Sequence, residues 1–290
     1  ASCHNNLQLP EEVLVRTDGA ENLHDFYITK YNITRDEYLR SINMKSLDDY
    51  LIEDTPDYSL MKKMENPKHP WNFSTLTFAC AYANRLSKQK KLTPCYEIEN
   101  HRVIGFNVNA NGYRVPSEDE WNFAYKGGIK SKNFKFAGSD NLDEVAWCKT
   151  NHDGNFHEVG LLKPNELGIY DMEGNVAEWT WDEYIKLPKT LTLEKASKLD
   201  KQALMDLLND IRDDSYAYLD QDRFYAVKLN KIIELNIDID AKYLRRNTYR
   251  SIKSYKAPDY PGSVYNGISY ASNDYQCGSG VGIRLVRNVK

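Results

Sequence analysis

The cysteines come first, because a thiolate can act as a nucleophile, a metal ligand or a redox group. The chain of 290 residues has five of them, Cys3, Cys80, Cys95, Cys148 and Cys277, and no two form a C-x-x-C pair. This pattern argues against a zinc ribbon and against a thioredoxin-type site. We predict that Cys80, which has no histidine or basic partner nearby, is a buried small hydrophobic residue.

The histidines and a run of carboxylates are the other candidates for chemistry. His152 and His157 lie five residues apart, which fits metal ligands neither on a helix nor on a strand, and no third histidine follows. We interpret both as loop residues. Residues 118–120, EDE, form a carboxylate cluster directly after Ser117. We predict that they stabilise a helix N-terminus through its dipole.

The overall composition is that of an ordinary globular protein, with 41% hydrophobic and 28% charged residues. The net charge of −4 argues against nucleic acid as a partner. No apolar run approaches the length of about 18 residues that a membrane-spanning helix needs. We therefore expect contact with a membrane only through a lipid anchor.

Residues 168–181, GIYDMEGNVAEWTW, contain the most specific motif of the chain. The dipeptide Glu173-Gly174 is predicted to be a turn. Apolar and polar residues then alternate over 175–181, which indicates a half-buried strand. This motif resembles the G-x-Y-D-M-x-G-N-V-x-E-W signature of the formylglycine-generating-enzyme family, also called sulfatase-modifying factors.

Four further segments resemble blocks of the same family. Residues 24–38 predict a strand and then a helix that begins with a capping box at Thr34. Residues 73–87 predict a helix, and residues 112–128, GYRVPSEDEWNFAYKGG, predict another that begins at Ser117. Near the end of the chain, GIRLV matches the family's G-F-R-L-V.

The resemblance implies an α+β fold, the C-type lectin-like fold of the formylglycine-generating-enzyme type, here with a largely helical insertion. We predict a leader, anchor or first edge strand over residues 1–23 and one domain over 24–290. The insertion covers about 183–240, where the resemblance lapses and the chain is acidic and free of glycine. Within it, the apolar spacing predicts one helix over 192–213 and a strand over 232–239.

The chemistry of the family is not supported by the residues of this chain. Formylglycine-generating enzymes use two cysteines near the C-terminus to bind copper, and related iron enzymes use three histidines. From residue 243 onward this chain has only Cys277 and no histidine. We therefore predict a protein that is not an enzyme and requires no cofactor. The alternative is a copper- and iron-independent enzyme that uses Cys277 as a nucleophile.

The C-terminal tail has a composition typical of binding surfaces. Residues 243–290 include seven tyrosines, and segment 259–280 shows no clear helical or strand period, so we predict a surface loop there. Tyrosine gives large contact area, and Ser, Asn and Gly give adaptable hydrogen bonds. The predicted ligand-binding residues are Arg246, Tyr249, Arg250, Ser251, Ser254, Tyr255, Tyr265, Asn266, Tyr270, Ser272, Asn273, Asp274 and Tyr275.

This tail, on a scaffold without the catalytic residues, resembles the variable proteins of diversity-generating retroelements, including the variable lipoproteins of treponemes. The resemblance implies that residues 246–281 are diversified by adenine-directed mutagenesis. It also implies a surface-displayed binding protein with a protein or glycan ligand.

Two expectations concern metal and lipid. The family carries calcium through oxygen ligands, and the matching oxygens here belong to Asn151, Asp153, Asn175 and Glu178. Ala1-Ser2-Cys3 resembles the end of a bacterial lipobox, although a signal-peptide remnant gives the same pattern. Lipidation of Cys3 would place the protein on the bacterial cell surface as an outer-membrane lipoprotein.

Overall fold

The structure is a computed structural model. It describes residues 9–41, 66–72, 75–100, 102–148, 151, 155–209, 224–240, 248–253, 269–272 and 280–289. The chain divides into two compact units. The first consists of Ala1–Thr180, Ile252–Ser269 and Asp274–Lys290. The second consists of Trp181–Ser251 and Tyr270–Asn273.

A three-stranded antiparallel sheet joins the two ends of the first unit. Its strands are β1 (Glu12–Val15), β2 (Phe26–Thr29) and β12 (Val286–Asn288), in the order β1-β2-β12. Residues 12–15 form an edge strand of this sheet, because their backbone pairs with β2. Of the alternatives given for residues 1–23, a first edge strand is the one that describes residues 12–15.

The predicted helices of the first unit are present. They are α1 (Arg35–Ser41), α2 (Leu76–Gln89) and α3 (Glu118–Tyr125). Each begins at a capping side chain, because Thr34, Thr75 and Ser117 each accept a hydrogen bond from the backbone N–H three residues later. The capping boxes predicted at Thr34 and Ser117 are thus confirmed.

Short strand pairs complete the first unit. The hairpin pairs β3 (Tyr96–Glu99) with β4 (Arg102–Phe106), and β5 (Ala146–Trp147) runs parallel to β6 (Glu173–Gly174). In the described part of this unit, 3₁₀ turns cover Ala20–Asn22, Gly128–Lys130 and Leu142–Glu144.

The sharp bend of the main motif lies one residue later than predicted. Glu173 is part of β6, and the backbone enters the left-handed region at Gly174 (φ 68°) and Asn175 (φ 55°). A β-carbon on Gly174 would lie 2.3 Å from the carbonyl oxygen of Trp147. Glycine is required here by both the backbone conformation and the close approach of β5.

The core of the first unit packs the sheet against α3 and the motif segment. Buried aliphatic and aromatic side chains meet there, including those of Phe26, Ile28, Trp121, Ile169 and Met172. Trp121 also stacks on Tyr125 of the same helix, with 5.2 Å between ring centroids. Burial of such large side chains supplies most of the stabilisation of this unit.

The second unit is built on the strand β7 (Ala177–Pro188), which enters it at Trp181. Residues 184–188 of β7 pair antiparallel with β8 (Phe224–Lys228). The helices are α4 (Leu193–Ala196), α5 (Lys201–Asn209) and α6 (Leu229–Glu234). The described residues of the insertion thus contain both helices and strands, rather than the largely helical structure that was predicted.

Two details of the insertion differ from prediction. The single helix expected over 192–213 is two helices, because the side chain of Asp200 accepts a hydrogen bond from the Ala203 N–H (2.9 Å) and starts α5 anew. The strand expected over 232–239 is instead the end of α6 and an irregular segment. The helix ends before Asn236, whose left-handed backbone (φ 51°) is a common helix terminator.

The remaining strands come from the tail. They are β9 (Thr248–Lys253), β10 (Ser269–Ser272) and β11 (Val281–Gly282), and the sheet order is β10-β9-β7-β11, with β8 also paired to β7. Segment 259–280 is therefore not entirely a loop as predicted, because the edge of the sheet orders β10. Among the described helices, none is long and apolar enough to cross a bilayer.

Candidate functional site

The structure brings part of the predicted ligand-binding segment onto two neighbouring strands. Tyr249, Arg250 and Ser251 belong to β9, and Tyr270 and Ser272 belong to β10. The other predicted contact residues lie outside the described residues. These are Arg246, Ser254, Tyr255, Tyr265, Asn266, Asn273, Asp274 and Tyr275.

The end of the tail is fixed to the start of β7. The Ala177 N–H donates to the Gly280 carbonyl (2.8 Å), and Val281 and Gly282 pair in parallel with Ala177 and Glu178. A β-carbon on Gly282 would lie 2.7 Å from the side chain of Val176. The backbone at Gly282 is therefore packed so closely that a residue with a side chain would force its neighbours to move.

Two residues after Gly282, Arg284 forms a buried ion pair with Glu178. The Arg284 Nε lies 2.9 and 3.0 Å from the two carboxylate oxygens of Glu178, and the two side chains are 0% and 1% exposed. The guanidinium also donates to the carbonyls of Thr29 and Tyr170, at 2.8 Å each. One side chain thus ties β7, β2 and the motif segment to the end of the tail.

Glu178 has two more hydrogen-bond donors. Asn32 Nδ2 donates to Oε1 at 2.6 Å, and Trp121 Nε1 donates to Oε2 at 2.5 Å. The prediction that Glu178 is a calcium ligand needs correction for this reason. Both carboxylate oxygens already face N–H groups, one of them cationic, and a second cation there would be repelled.

The other predicted calcium ligands are also engaged in local hydrogen bonds. The side-chain oxygens of Asn151 and Asn175 accept the backbone N–H groups of Cys148 (2.7 Å) and His157 (3.2 Å). Asp153 lies outside the described residues. Within the described ranges, no three His, Cys, Asp or Glu side chains converge in a way that could hold a metal ion. The described residues therefore do not fit a calcium site.

The described cysteines offer little reactivity. Cys80, Cys95 and Cys148 are all buried thiols. Burial raises the pKa of the Cys95 thiol, which lowers the fraction of reactive thiolate. The prediction that Cys80 is a buried small residue is confirmed. Cys277 and Cys3 lie outside the described residues.

The predicted carboxylate cluster has a structural role. Glu120 forms a bidentate ion pair with Arg114, at 2.7 and 2.6 Å, and completes the capping box with Ser117. Hydrogen bonds and charge from Arg114 lower the pKa of Glu120 against the opposing effect of burial, which is the largest single influence. A carboxylate held in its charged form by such a pair fixes the helix N-terminus rather than exchanging protons.

Of the two histidines proposed for loops, His157 lies outside any helix or strand, as predicted. Its ring stacks on Trp147, with 3.7 Å between centroids. Burial and the charge of His157 lower the pKa of His69. His152 lies outside the described residues.

Glu173 is a buried acid that the sequence analysis did not single out. It is 1% exposed, and it contacts the Tyr125 hydroxyl and the Ala137 N–H. Burial raises the pKa of Glu173 from 4.5 to about 8, and the two hydrogen bonds only partly oppose this. The side chain is thus uncharged at neutral pH. The sequence feature that could have indicated this burial is the position of Glu173 between the apolar residues Met172 and Val176, which are both buried.

Two relatives with known names match parts of the chain. Chaperone protein LppX of Paenibacillus barcinonensis is 33% identical over 197 residues, which is 57% of this chain and 65% of that protein. Inactive C-alpha-formylglycine-generating enzyme 2 of Bos taurus is 36% identical over 84 residues, 25% of this chain and 28% of that protein. The matches thus span less than two thirds of the length of either relative.

Two solved structures share the fold. CarF superposes with a TM-score of 0.60 at 21% identity, covering 98% of this chain and all of that one (100%). Treponema denticola variable protein 1 superposes with a TM-score of 0.54 at 21% identity, covering 96% of this chain and 91% of that one. At this identity the likeness concerns the fold, which is the C-type lectin-like fold of the formylglycine-generating-enzyme type.

A family model covers almost the whole chain. The sulfatase-modifying factor enzyme 1-like domain matches residues 11–289, which include β1. The strand pairs, the capped helices and the Glu178–Arg284 pair all lie within this match. The chain belongs to the sulfatase-modifying factor enzyme 1-like family.

Proposed function

We propose that this protein is a non-catalytic, surface-displayed ligand-binding protein whose tail, residues 246–281, is diversified by a retroelement. The observation that carries the proposal is the combination of an intact scaffold with a tail that lacks the family's catalytic residues. Residues 243–290 contain one cysteine and no histidine, but seven tyrosines. Within this tail, β9 pairs with β7 and β10 pairs with β9.

The comparisons support a non-catalytic role. One relative is named an inactive formylglycine-generating enzyme, and one structural neighbour is named a variable protein. Another relative is named a chaperone protein. A protein ligand is one expectation for the tail, and a glycan is the other. Nucleic acid is not expected, because the chain carries a net charge of −4.

The decisive experiment is to sequence the 3′ end of the gene in many isolates of the source. We expect substitutions clustered in codons 246–281, at adenines of one template, while codons 100–181 stay unchanged. A tail as constant as the core would contradict diversification. The protein would then be a binder with one fixed specificity, and ligand screening with this single sequence would follow.

The alternative activity is tested separately. If Cys277 were a nucleophile, the protein would consume oxygen or modify a cysteine-containing peptide in a metal-free buffer, and Cys277→Ala would abolish this. We expect no such turnover from either form. Cys95→Ala is a matched control, because that thiol is buried and its pKa is raised.

Surface display depends on Cys3 in this proposal. Cells that express the protein with its own upstream sequence should incorporate an alkyne-labelled fatty acid into it, and Cys3→Ser should remove the label. One acyl chain gives only marginal membrane binding, so additional acylation is expected for stable anchoring. Label that persists in Cys3→Ser would contradict the proposed anchor.

A further inference from the structure

Most of β9 and β10 belong to the same compact unit as the insertion. That unit contains Trp181–Ser251 and Tyr270–Asn273, whereas β11 and β12 belong to the first unit. In the sheet, β10 lies beside β9 and β9 lies beside β7. The strand β7, which connects the insertion to the motif segment, is therefore also the strand with which β9 of the tail pairs.

An apolar core specific to the insertion holds β7 in place. Ile185 and Leu187 are two residues apart and therefore lie on one face of the strand, and both are 0% exposed. They belong to a cluster in which β7, β8 and all three helices take part. Its buried members are Ile185, Leu187, Leu191, Ala196, Leu204, Leu208, Val227, Ile232, Ile237 and Ile239.

Polar contacts within the same unit strengthen this support. The Tyr225 hydroxyl of β8 donates to the Leu191 carbonyl at 2.6 Å, which closes the segment that leads from β7 to α4. Lys228 lies opposite Tyr184 at one end of the paired strands, and its Nζ is 3.1 Å from the carboxylate of Asp182 two residues earlier. Residues 184–188 of β7 are thus held by packing on one face and by pairing with β8.

We infer that the insertion is a structural part of the ligand-binding site. Its core holds β7, and β7 in turn fixes the backbone of β9 and β10, which carry Tyr249, Ser251 and Tyr270. This inference rests on the proposed function in one respect, namely that residues 246–281 contact the ligand. It assigns the described residues of the insertion, 183–209 and 224–240, the role of positioning residues for β9 and β10.

Hydrogen–deuterium exchange of the full chain tests the inference without a ligand. Ile232→Ala removes a side chain that is 2% exposed in the core of the insertion. We expect exchange in residues 248–251 and 270–272 to accelerate roughly tenfold or more, because local opening follows the loss of core packing. The neighbouring Ile233→Ala is the matched control, because Ile233 is 64% exposed and its loss leaves the core intact.

A second control separates this coupling from general destabilisation. Ile169→Ala creates a similar cavity in the core of the first unit, where Ile169 is 1% exposed. We expect it to accelerate exchange in β1 and β2 more than in residues 248–251. If Ile232→Ala prevents folding, Ile232→Val is the milder variant, with the same pattern at smaller amplitude.

The outcome that overturns the inference is specific. Exchange that accelerates in β8 and α6 of Ile232→Ala, while residues 248–251 and 270–272 stay as slow as in the parent, would show that the tail does not depend on the insertion. A tail that proves constant among isolates would remove the proposed diversification but leave this result standing. The two tests can therefore fail independently.

Discussion

The two units of this protein are stabilised in different ways. The described part of the first unit contains buried ion pairs. Arg284 pairs with Glu178, and Arg114 pairs with Glu120; the side chains of Arg114 and Glu120 are each 9% exposed. Each pair has further hydrogen bonds from the backbone or from other side chains. Removal of either partner would leave an uncompensated charge inside the protein.

In the described part of the second unit, the ion pairs lie closer to solvent. Lys228 and Asp182 are 35% and 15% exposed, and Lys201 and Asp238 are 52% and 66% exposed. Its interior is a cluster of aliphatic side chains. Such a core accepts many combinations of similar size, whereas a buried ion pair needs particular residues at particular places. This difference explains why the first unit has recognisable motifs and the insertion has none.

The largest expected effect comes from breaking the buried pair. Arg284→Met should lower the free energy of unfolding by about 3–5 kcal/mol, because Glu178 would remain buried without its cationic partner. Urea denaturation followed by tryptophan fluorescence measures this. The matched control is Arg16→Met, because Arg16 is 59% exposed in its pair with Asp25 and should cost less than about 1 kcal/mol. Equal losses in the two variants would contradict the contrast between buried and exposed pairs.

The next effect concerns two left-handed glycines of the main motif. Gly174→Ala should cost about 1–2 kcal/mol for its backbone conformation and roughly 1–3 kcal/mol more for overlap with Trp147. Gly168→Ala (φ 81°) should cost only the first of these, because no atom lies within 4 Å of the added carbon. Thermal unfolding of both variants compares them. A larger loss in Gly168→Ala would show that the close approach of β5 is not what requires glycine.

A pH-dependent effect should distinguish Glu173 from surface carboxylates. The folded-state pKa of about 8 lies above the ordinary 4.5, so this group stabilises the fold fully below pH 4.5 and loses that contribution as pH rises to about 8. Glu173→Gln keeps an uncharged side chain and should gain roughly 1–3 kcal/mol relative to the parent at pH 8, and little at pH 4. Urea denaturation between pH 4 and pH 8.5 measures the difference. The matched control is Glu97→Gln, because Glu97 is exposed, and we expect its stability to change with pH as that of the parent does. If the stability of Glu173→Gln also followed the parent, Glu173 would not be a buried, uncharged acid.

The smallest effect compares helix caps in the two units. Ser117→Ala should cost about 1 kcal/mol, because Ser117 and Glu120 cap α3 reciprocally. Thr192→Ala should cost less, near the low end of about 0.5 kcal/mol, because α4 is exposed at its start and only four residues long. Differential scanning calorimetry of the two variants would detect the order. The reverse order would mean that the insertion depends on its caps more than on its apolar core.

The sequence predicted the first unit well for a physical reason. Its capping residues and its glycines each have one local function that leaves a trace in residue type and spacing. The insertion was predicted less accurately, because apolar spacing alone could not show that Asp200 and Asn236 interrupt the periodic pattern. Both are polar residues whose side chain or left-handed backbone ends one element or begins the next.

The candidate site was predicted in outline only. Residue types suggested a binding tail, but the pairing of β9 and β10 beside β7 depends on residues distant in sequence, which no local pattern reveals. Glu178 was misassigned for a related reason: a carboxylate that binds calcium and one that binds arginine look alike in sequence. Only the position of Arg284, 106 residues away, distinguishes them. Glu173 was missed because its burial is a property of the assembled core.

The order of the chain has a consequence for protein synthesis. The ribosome translates residues 246–281 before it reaches Ile283, Arg284 and Leu285, which are all 0% exposed in the first unit. On the proposed function, a copy whose rewritten tail contains a stop codon would lack these residues together with β12. Such a copy could not complete its core and would be degraded as an unfolded chain. The buried end of the chain would thus act as a check that each diversified tail is translated to its end.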